Sequence, residues 1–135
     1  MTQRNIHGLW HMRLEGRFLY SKVTGATNKE AAQAWFDEMR QTILSSPKSD
    51  SEPWVFLDDA RDWGTAPADF WETTNEVVNW MSEHNCVFIA SACSKKIQSF
   101  SWEKGLNNQN IAHLFFDYDE AHQVCLDALA KAQNK

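Results

Sequence analysis

The sequence becomes strongly apolar at residues 53–58, which read PWVFLD. Four consecutive apolar residues, 54–57, follow a polar loop that is rich in serine and precede a pair of aspartates. A strand that is apolar on both of its faces is typical of an interior position in a mostly parallel sheet, because helices cover such a strand on both sides. The stretch therefore predicts a central strand that ends at Asp58 and Asp59.

The segments on either side predict strands that alternate with helices. Residues 7–14 and 17–24 alternate in polarity and are joined by a Gly-containing turn, which predicts an antiparallel hairpin. Thr27 with Glu30 three residues later is a capping-box signature for the start of a helix. The other predicted strands are 54–57, 86–90 and 111–116, and the predicted helices are 28–45, 67–83, 94–104 and 119–131. The order β-β-α-β-α-β-α-β-α predicts an α/β fold, a mixed sheet with covering helices.

Length and charge narrow the class of protein. A chain of 135 residues suits one core, so we expect residues 1–135 to form a single domain. The net charge of -5 and the scattered Lys and Arg residues argue against nucleic-acid binding, which needs a basic stripe. No apolar run approaches the length of a membrane span, so no stable membrane insertion is expected. Three cysteines without a C-x-x-C pair fit the reduced cytoplasm best.

The sequence carries no complete catalytic or cofactor motif. It has no G-x-G-x-x-G or P-loop pattern for a nucleotide and no G-x-S-x-G elbow for a nucleophilic serine. His7 and His11 fall on one predicted strand, where strand rise separates them by about 13 Å, too far to share one metal ion. We therefore expect a protein that is not an enzyme, with no cofactor and no metal site.

Several local sequences match a known family. They are 25–30 leading into 34–36, 53–58, 61–63, 80–86, and 115–117 followed by Glu120 and Ala121. With the element order, they resemble the STAS domain, the fold of bacterial anti-sigma-factor antagonists, in an uncharacterised bacterial family. The resemblance covers nearly the whole chain and implies a STAS-like mixed sheet and a non-enzymatic regulatory or protein-interaction module with a protein partner. The exposed edge of the first hairpin, 7–24, would also allow a homodimer by strand addition.

The turn after the central strand departs from the family pattern. Phosphorylatable antagonists carry Asp-Ser-Ser-Gly or a close variant there, and a kinase phosphorylates a hydroxyl in that turn. Residues 58–66 read DDARDWGTA, in which Thr65 is the only hydroxyl. The resemblance therefore does not bring the phosphoswitch with it. Thr65 is either a phosphate acceptor near a helix N-terminus, where the helix dipole favours added negative charge, or a plain turn residue.

Two groups of residues are candidate binding sites. Asp58, Asp59 and Asp62 follow the central strand, at the sheet edge where open α/β folds bind ligands. We expect a solvated turn with capping roles. The alternative is a Mg²⁺ or phosphoryl site, because hard cations prefer carboxylates.

Aromatic residues form the second group. Trp63, Phe100 and Trp102 could line an apolar groove under a mobile segment, 94–110, and this gives the alternative function, a small-molecule or lipid-binding protein. The competing interpretation is that Phe100 and Trp102 simply hold a surface helix on the core.

Overall fold

The computed structural model describes residues 6–47, 51–107 and 110–134. Its nine elements follow the predicted order. The strands are β1 (Leu9–Glu15), β2 (Phe18–Gly25), β3 (Trp54–Trp63), β4 (Cys86–Ala92) and β5 (Ala112–Phe115). The helices are α1 (Lys29–Leu44), α2 (Ala68–Glu83), α3 (Lys96–Gly105) and α4 (Tyr118–Gln133). In the described part of the chain, no helix is long and apolar enough to cross a membrane.

The five strands form one sheet in the order β1-β2-β3-β4-β5. The first two strands are antiparallel, and every later neighbouring pair is parallel. This confirms the predicted mixed sheet with β3 at its centre. The three parallel crossovers all advance in one direction across the sheet. Because such crossovers are right-handed, α1, α2 and α3 lie on one face, and α4 covers the other.

Strand β3 supplies both cores, which explains its continuous apolar run. Trp54 and Phe56 pack on the face that α1 and α2 cover, while Val55 and Leu57 pack against α4. All four side chains are buried. Burial of each such side chain contributes about 1.5–3 kcal/mol relative to leaving it in water. The central-strand prediction is therefore confirmed, and both of its faces are covered.

Strand β3 is longer than predicted, and it contains a bulge. It continues through Asp58 and Asp59 to Trp63. Its pairing with β2 runs from Lys22 opposite Asp59 directly to Thr24 opposite Asp62, so one extra residue lies on β3. A bulge changes which face the following side chains occupy. It returns Trp63 to the face of Trp54 and Phe56, although strict alternation would have placed it on the other face.

The start of α1 also differs from the prediction. Asn28, not Thr27, is the N-cap residue, and its side-chain oxygen accepts the backbone N–H of Ala31 at 3.0 Å. The Thr27 hydroxyl instead accepts the indole N–H of Trp63 at 3.0 Å. Asn and Thr are both good capping residues, so the local pattern could not decide between them. The hydrogen bond with Trp63 makes Asn28 the N-cap residue, because it holds the Thr27 side chain in the core.

Candidate functional site

A partly enclosed cavity of about 120 Å³ lies between the sheet and the helices α1, α2 and α3. Its walls are mainly aromatic. They include Trp10, Trp35, Trp63, Trp71 and Trp102 together with Phe56 and Phe70. Aliphatic side chains from α1, α2 and β4 complete the lining. The high tryptophan content of the chain is therefore concentrated around one internal space.

Hydrogen bonds from the indole groups fix three of these rings. Trp35 donates its ring N–H to the Ser21 hydroxyl at 2.9 Å. Trp102 donates to the Ser91 hydroxyl at 3.3 Å, and Trp63 donates to Thr27 as described above. A buried indole N–H usually needs such a partner. Since each of the three donors is already used, these rings present mainly their carbon surfaces to the cavity.

The start of helix α3 is held over the cavity by a buried amide, the side chain of Gln98. Its Nε2 donates to the carbonyl oxygens of Arg61 at 3.0 Å and Trp63 at 2.8 Å. Its Oε1 accepts the backbone N–H groups of Ser94 at 2.8 Å and Lys95 at 2.9 Å. These contacts use the full hydrogen-bonding capacity of an amide group. Gln98 therefore ties the start of α3 to the end of β3, and it places Trp102 in the cavity wall.

A second amide fastens the other end of α3. Asn75 on α2 donates to the carbonyl oxygen of Gly105 at 3.0 Å and accepts the backbone N–H of Asn107 at 2.8 Å. The helix is thus bonded at both ends to elements that line the cavity. Over its described residues, the segment 94–110 is a wall of the cavity bonded at both ends, and not the mobile flap that was one of the two alternatives.

Among the residues that the structure describes, Asp58 is the one ionisable side chain in the cavity lining. Its Oδ1 is buried and has no hydrogen-bond partner among the described residues. Burial, followed by repulsion from Asp59, raises the pKa of Asp58 to about 7, against a hydrogen bond from Ser91 that lowers it. Asp58 keeps some accessible surface, because the cavity that it lines can admit water. Near neutral pH the carboxyl group is therefore divided between its charged and neutral forms.

The other two predicted aspartates lie elsewhere, so the expected three-carboxylate cluster was wrong. Asp59 points to the opposite face, where Arg61 binds both carboxylate oxygens at 2.8 and 2.9 Å. Burial would raise the pKa of Asp59, but the hydrogen bonds from Arg61 outweigh it and lower the pKa. Asp62 lies on the surface, 3.4 Å from the Lys22 ammonium. Alternation along β3 and its bulge separate the three, and the described residues contain no group of three or more metal-ligating side chains.

The predicted aromatic group is split. Trp63 and Trp102 are buried and line the cavity, but Phe100 is 56% exposed and lies outside it. The prediction of a groove shared by all three rings was therefore wrong for Phe100. Helix periodicity explains the split, because residues two positions apart point to different sides of a helix.

Thr65 lies in the turn between β3 and α2. Its backbone is left-handed, with φ of 77°, a conformation rarely adopted by a β-branched residue. Its carbonyl oxygen accepts the backbone N–H of Thr27 at 3.1 Å, which ties the turn to the start of α1. The side chain is partly buried. Phosphorylation of Thr65 stays a prediction.

The three cysteines are free thiols buried in the core. Burial raises the pKa of both Cys93 and Cys125 to about 12. It also raises the pKa of Cys86. The thiolate is the nucleophilic form of cysteine, so these groups are unreactive at neutral pH.

Replacement of Gly105 by Ala tests how tightly α3 closes the cavity. A methyl group at this position would overlap the ring of Trp71. Alanine normally stabilises a helix by about 1 kcal/mol relative to glycine. Here we expect the overlap to dominate and to lower the free energy of unfolding by about 1–3 kcal/mol. Urea denaturation followed by tryptophan fluorescence measures the change. Ser101→Ala in the same helix is the control, and a Gly105→Ala variant as stable as the parent would contradict the packing.

The fold is similar to that of three solved structures. One is an uncharacterised protein of the DUF3478 family with a SpoIIAA-like fold from Shewanella loihica, with a TM-score of 0.61, 11% identity, and coverage of 89% of this chain and 94% of that one. The second is an anti-sigma factor antagonist from Mycobacterium paratuberculosis, with a TM-score of 0.61, 9% identity, and coverage of 89% and 95%. The third is the anti-sigma factor antagonist SpoIIAA in its unphosphorylated form, with a TM-score of 0.61, 5% identity, and coverage of 88% and 98%. The chain therefore has the SpoIIAA-like, or STAS-like, fold. No family model and no curated protein sequence matches it.

Proposed function

We propose that residues 1–135 form a non-enzymatic, STAS-like regulatory module that acts by binding a protein partner. The likeness in fold to two anti-sigma factor antagonists supports this role. The unreactive thiols and the absence of a catalytic motif in the sequence are in keeping with it. Three free cysteines also suit a reducing compartment such as the cytoplasm.

The observation that carries the proposal is an exposed apolar patch at the carboxyl edge of the sheet. We call Ile97 and Phe100 on α3, with Phe116 after β5, the apolar patch. Their side chains are 61%, 56% and 58% exposed, and they line one shallow depression. Single exposed apolar residues are ordinary on protein surfaces, but a contiguous group of large ones is typical of an interaction site.

The surroundings of the apolar patch favour a protein segment as its occupant. Lys96, Glu103 and two serines border the depression, and the Lys104 ammonium lies 4.8 Å from the centre of the Phe100 ring. An apolar centre with a polar rim of both charge signs matches the usual anatomy of protein interfaces. Because Gln98 and Asn75 already hold α3 in place, binding would cost little ordering of the helix. The partner would present an apolar or aromatic side chain to the depression.

Affinity capture with matched variants tests this proposal. We expect the unmodified chain to retain a near-stoichiometric partner from native lysate. A double variant, Ile97→Ser with Phe100→Ser, should retain at least tenfold less, because the centre of the interface becomes polar. Leu44→Ser, at the exposed end of α1, is the control and should retain the partner. Thermal unfolding verifies that both variants are folded.

Light scattering on the same samples tests whether the partner is a second copy of the chain. Strand β1 lies at the edge of the sheet, and in the described part of the chain β2 is the only strand that pairs with it. A doubled mass would identify pairing of two copies, by way of β1 or of the apolar patch. Equal capture by all three proteins, or a monomer with no stoichiometric partner, would contradict the proposed function.

A further inference from the structure

The cavity has an unusual combination of charge and shape. Within residues 6–47, 51–107 and 110–134, its lining contains a carboxyl oxygen without a partner and no Lys, Arg or His side chain. The polar lining residues besides Asp58 are Thr27, Thr74 and Ser91. A buried carboxylate without a counter-charge is costly, so such a group either takes up a proton or binds a cation.

The aromatic walls distinguish between the kinds of ligand that would neutralise this carboxylate. Indole rings carry a negative face that attracts organic cations, and Trp is the best of the aromatic side chains for this. Three of the lining indoles already donate their N–H groups to hydroxyl partners, so they cannot donate to an anion. An anionic ligand would also face the charge of Asp58. The cavity therefore disfavours carboxylates and phosphates and suits a cation with an apolar body.

The cavity volume limits the size of that body. An engineered apolar cavity of about 150 Å³ holds a benzene molecule. The space here, about 120 Å³, is slightly smaller, and it is partly open to solvent. A ligand with one small ring or a short branched chain fills it. An ordinary phospholipid or fatty acid does not fit within it.

From this geometry we propose that the cavity binds a small organic ammonium. Asp58 is its counter-ion, and Trp35, Trp63 and Trp102 form the walls that contact it. The site is internal and separate from the apolar patch, so it does not depend on the proposed protein partner. Two of the three aromatic residues that the sequence singled out for an apolar groove, Trp63 and Trp102, line this cavity, and Phe100 does not. Water at the unpaired Oδ1 is the competing occupant, which the ligand must displace.

A pair of probes of equal size tests the proposal. Cyclopentylamine is a cation at pH 8, and cyclopentanol is its neutral counterpart. Amide and indole N–H signals of the full chain are followed by two-dimensional NMR during titration with each compound. We expect the amine to shift the indole signals of Trp35, Trp63 and Trp102, and to bind at least tenfold more tightly than the alcohol.

Two variants locate the counter-ion. Asp58→Asn should weaken amine binding at least tenfold, because it removes the charge and keeps the shape. Asp62→Asn changes a surface carboxylate on the same strand and should leave amine binding unchanged. Equal affinity for amine and alcohol in the unmodified protein would overturn the proposal, and that comparison requires no variant to fold. Unchanged amine affinity in Asp58→Asn, or indole signals that do not move with the amine, would overturn it as well.

Discussion

Replacement of Gln98 by Leu is expected to lower the free energy of unfolding by about 2–4 kcal/mol. Leucine has a similar size and leaves the core filled, so the loss would come from hydrogen bonds rather than from a void. The buried residue Trp63 would lose the one donor that its carbonyl oxygen receives from α3. An unsatisfied buried carbonyl group costs about 1–3 kcal/mol.

The other partners of Gln98 should contribute less. The Arg61 carbonyl oxygen also accepts the Ser94 hydroxyl at 2.7 Å, so it keeps one donor. Ser94 and Lys95 are exposed, and water can replace the lost acceptor of their N–H groups. The expected decrease in the free energy of unfolding is therefore well below the summed contributions of four hydrogen bonds. Release of α3 should also expose Trp102 and shift its fluorescence to longer wavelength.

Urea denaturation measures the effect, with Gln123→Leu as the matched control. Gln123 is exposed on α4 and bonds Asp127 at 2.9 Å. Loss of this surface contact should change stability by less than about 0.5 kcal/mol. If the two substitutions destabilise the protein equally, Gln98 does not fasten α3.

Replacement of Asp58 by Asn is expected to change how stability depends on pH. In the unfolded chain an aspartate has a pKa of about 3.9. In the folded protein the pKa of Asp58 is about 7. Between these values the folded state holds a proton that the unfolded state has released, so the contribution of Asp58 to stability falls as pH rises from about 4 to about 7. Above about pH 7 this contribution to stability is fully lost and no longer changes with pH.

The shift of about three pKa units corresponds to roughly 4 kcal/mol at 1.36 kcal/mol per unit. The groups that act on Asp58 are Asp59 beside it on β3 and Ser91 on β4, and the lining residues from α1, α2 and α3 carry no charge. The Asn variant loses the titrating group, so stability of the parent relative to the variant should fall by roughly 4 kcal/mol between pH 4 and pH 8. Denaturation at a series of pH values measures this difference.

Asp119→Asn is the control for the pH series. Asp119 is exposed in the first turn of α4, away from the cavity. Its replacement should change stability far less than Asp58→Asn does at every pH. A flat difference for Asp58→Asn would show that Asp58 is solvated or paired in the folded protein.

The strands of the sheet could be predicted because the pattern of apolar residues that indicates each strand lies within that strand. The apolar run 54–57 could be placed at the centre of the fold from burial on both faces alone, and the structure confirms it. The second half of β3 was not predictable in this way. Asp58, Asp59 and Asp62 make it look like a turn, but pairing with β2 and the Arg61 and Lys22 partners keep it extended.

The cavity could be predicted only in part. Trp63 and Trp102 were selected because aromatic residues are rare in polar segments. Their common location depends on the bulge in β3 and on the contacts of Gln98, which join residues 35 to 37 positions apart. No periodic pattern encodes such contacts. Trp35 and Trp71 were missed, because on an amphipathic helix they are ordinary apolar positions. Gln98 is one of several polar residues in α3, and only the structure shows that its amide is fully buried and therefore requires partners.

Strand β3 places the carboxyl group of Asp58, with one oxygen that has no partner among the described residues, inside an aromatic cavity. Carbon-13 NMR of the Asp58 side-chain carboxyl, followed through a pH titration of the free protein, tests it most directly. We expect a titration midpoint near 7, because burial and the neighbouring Asp59 both disfavour the charged form. A midpoint near 4, the value for an aspartate in water, would contradict it.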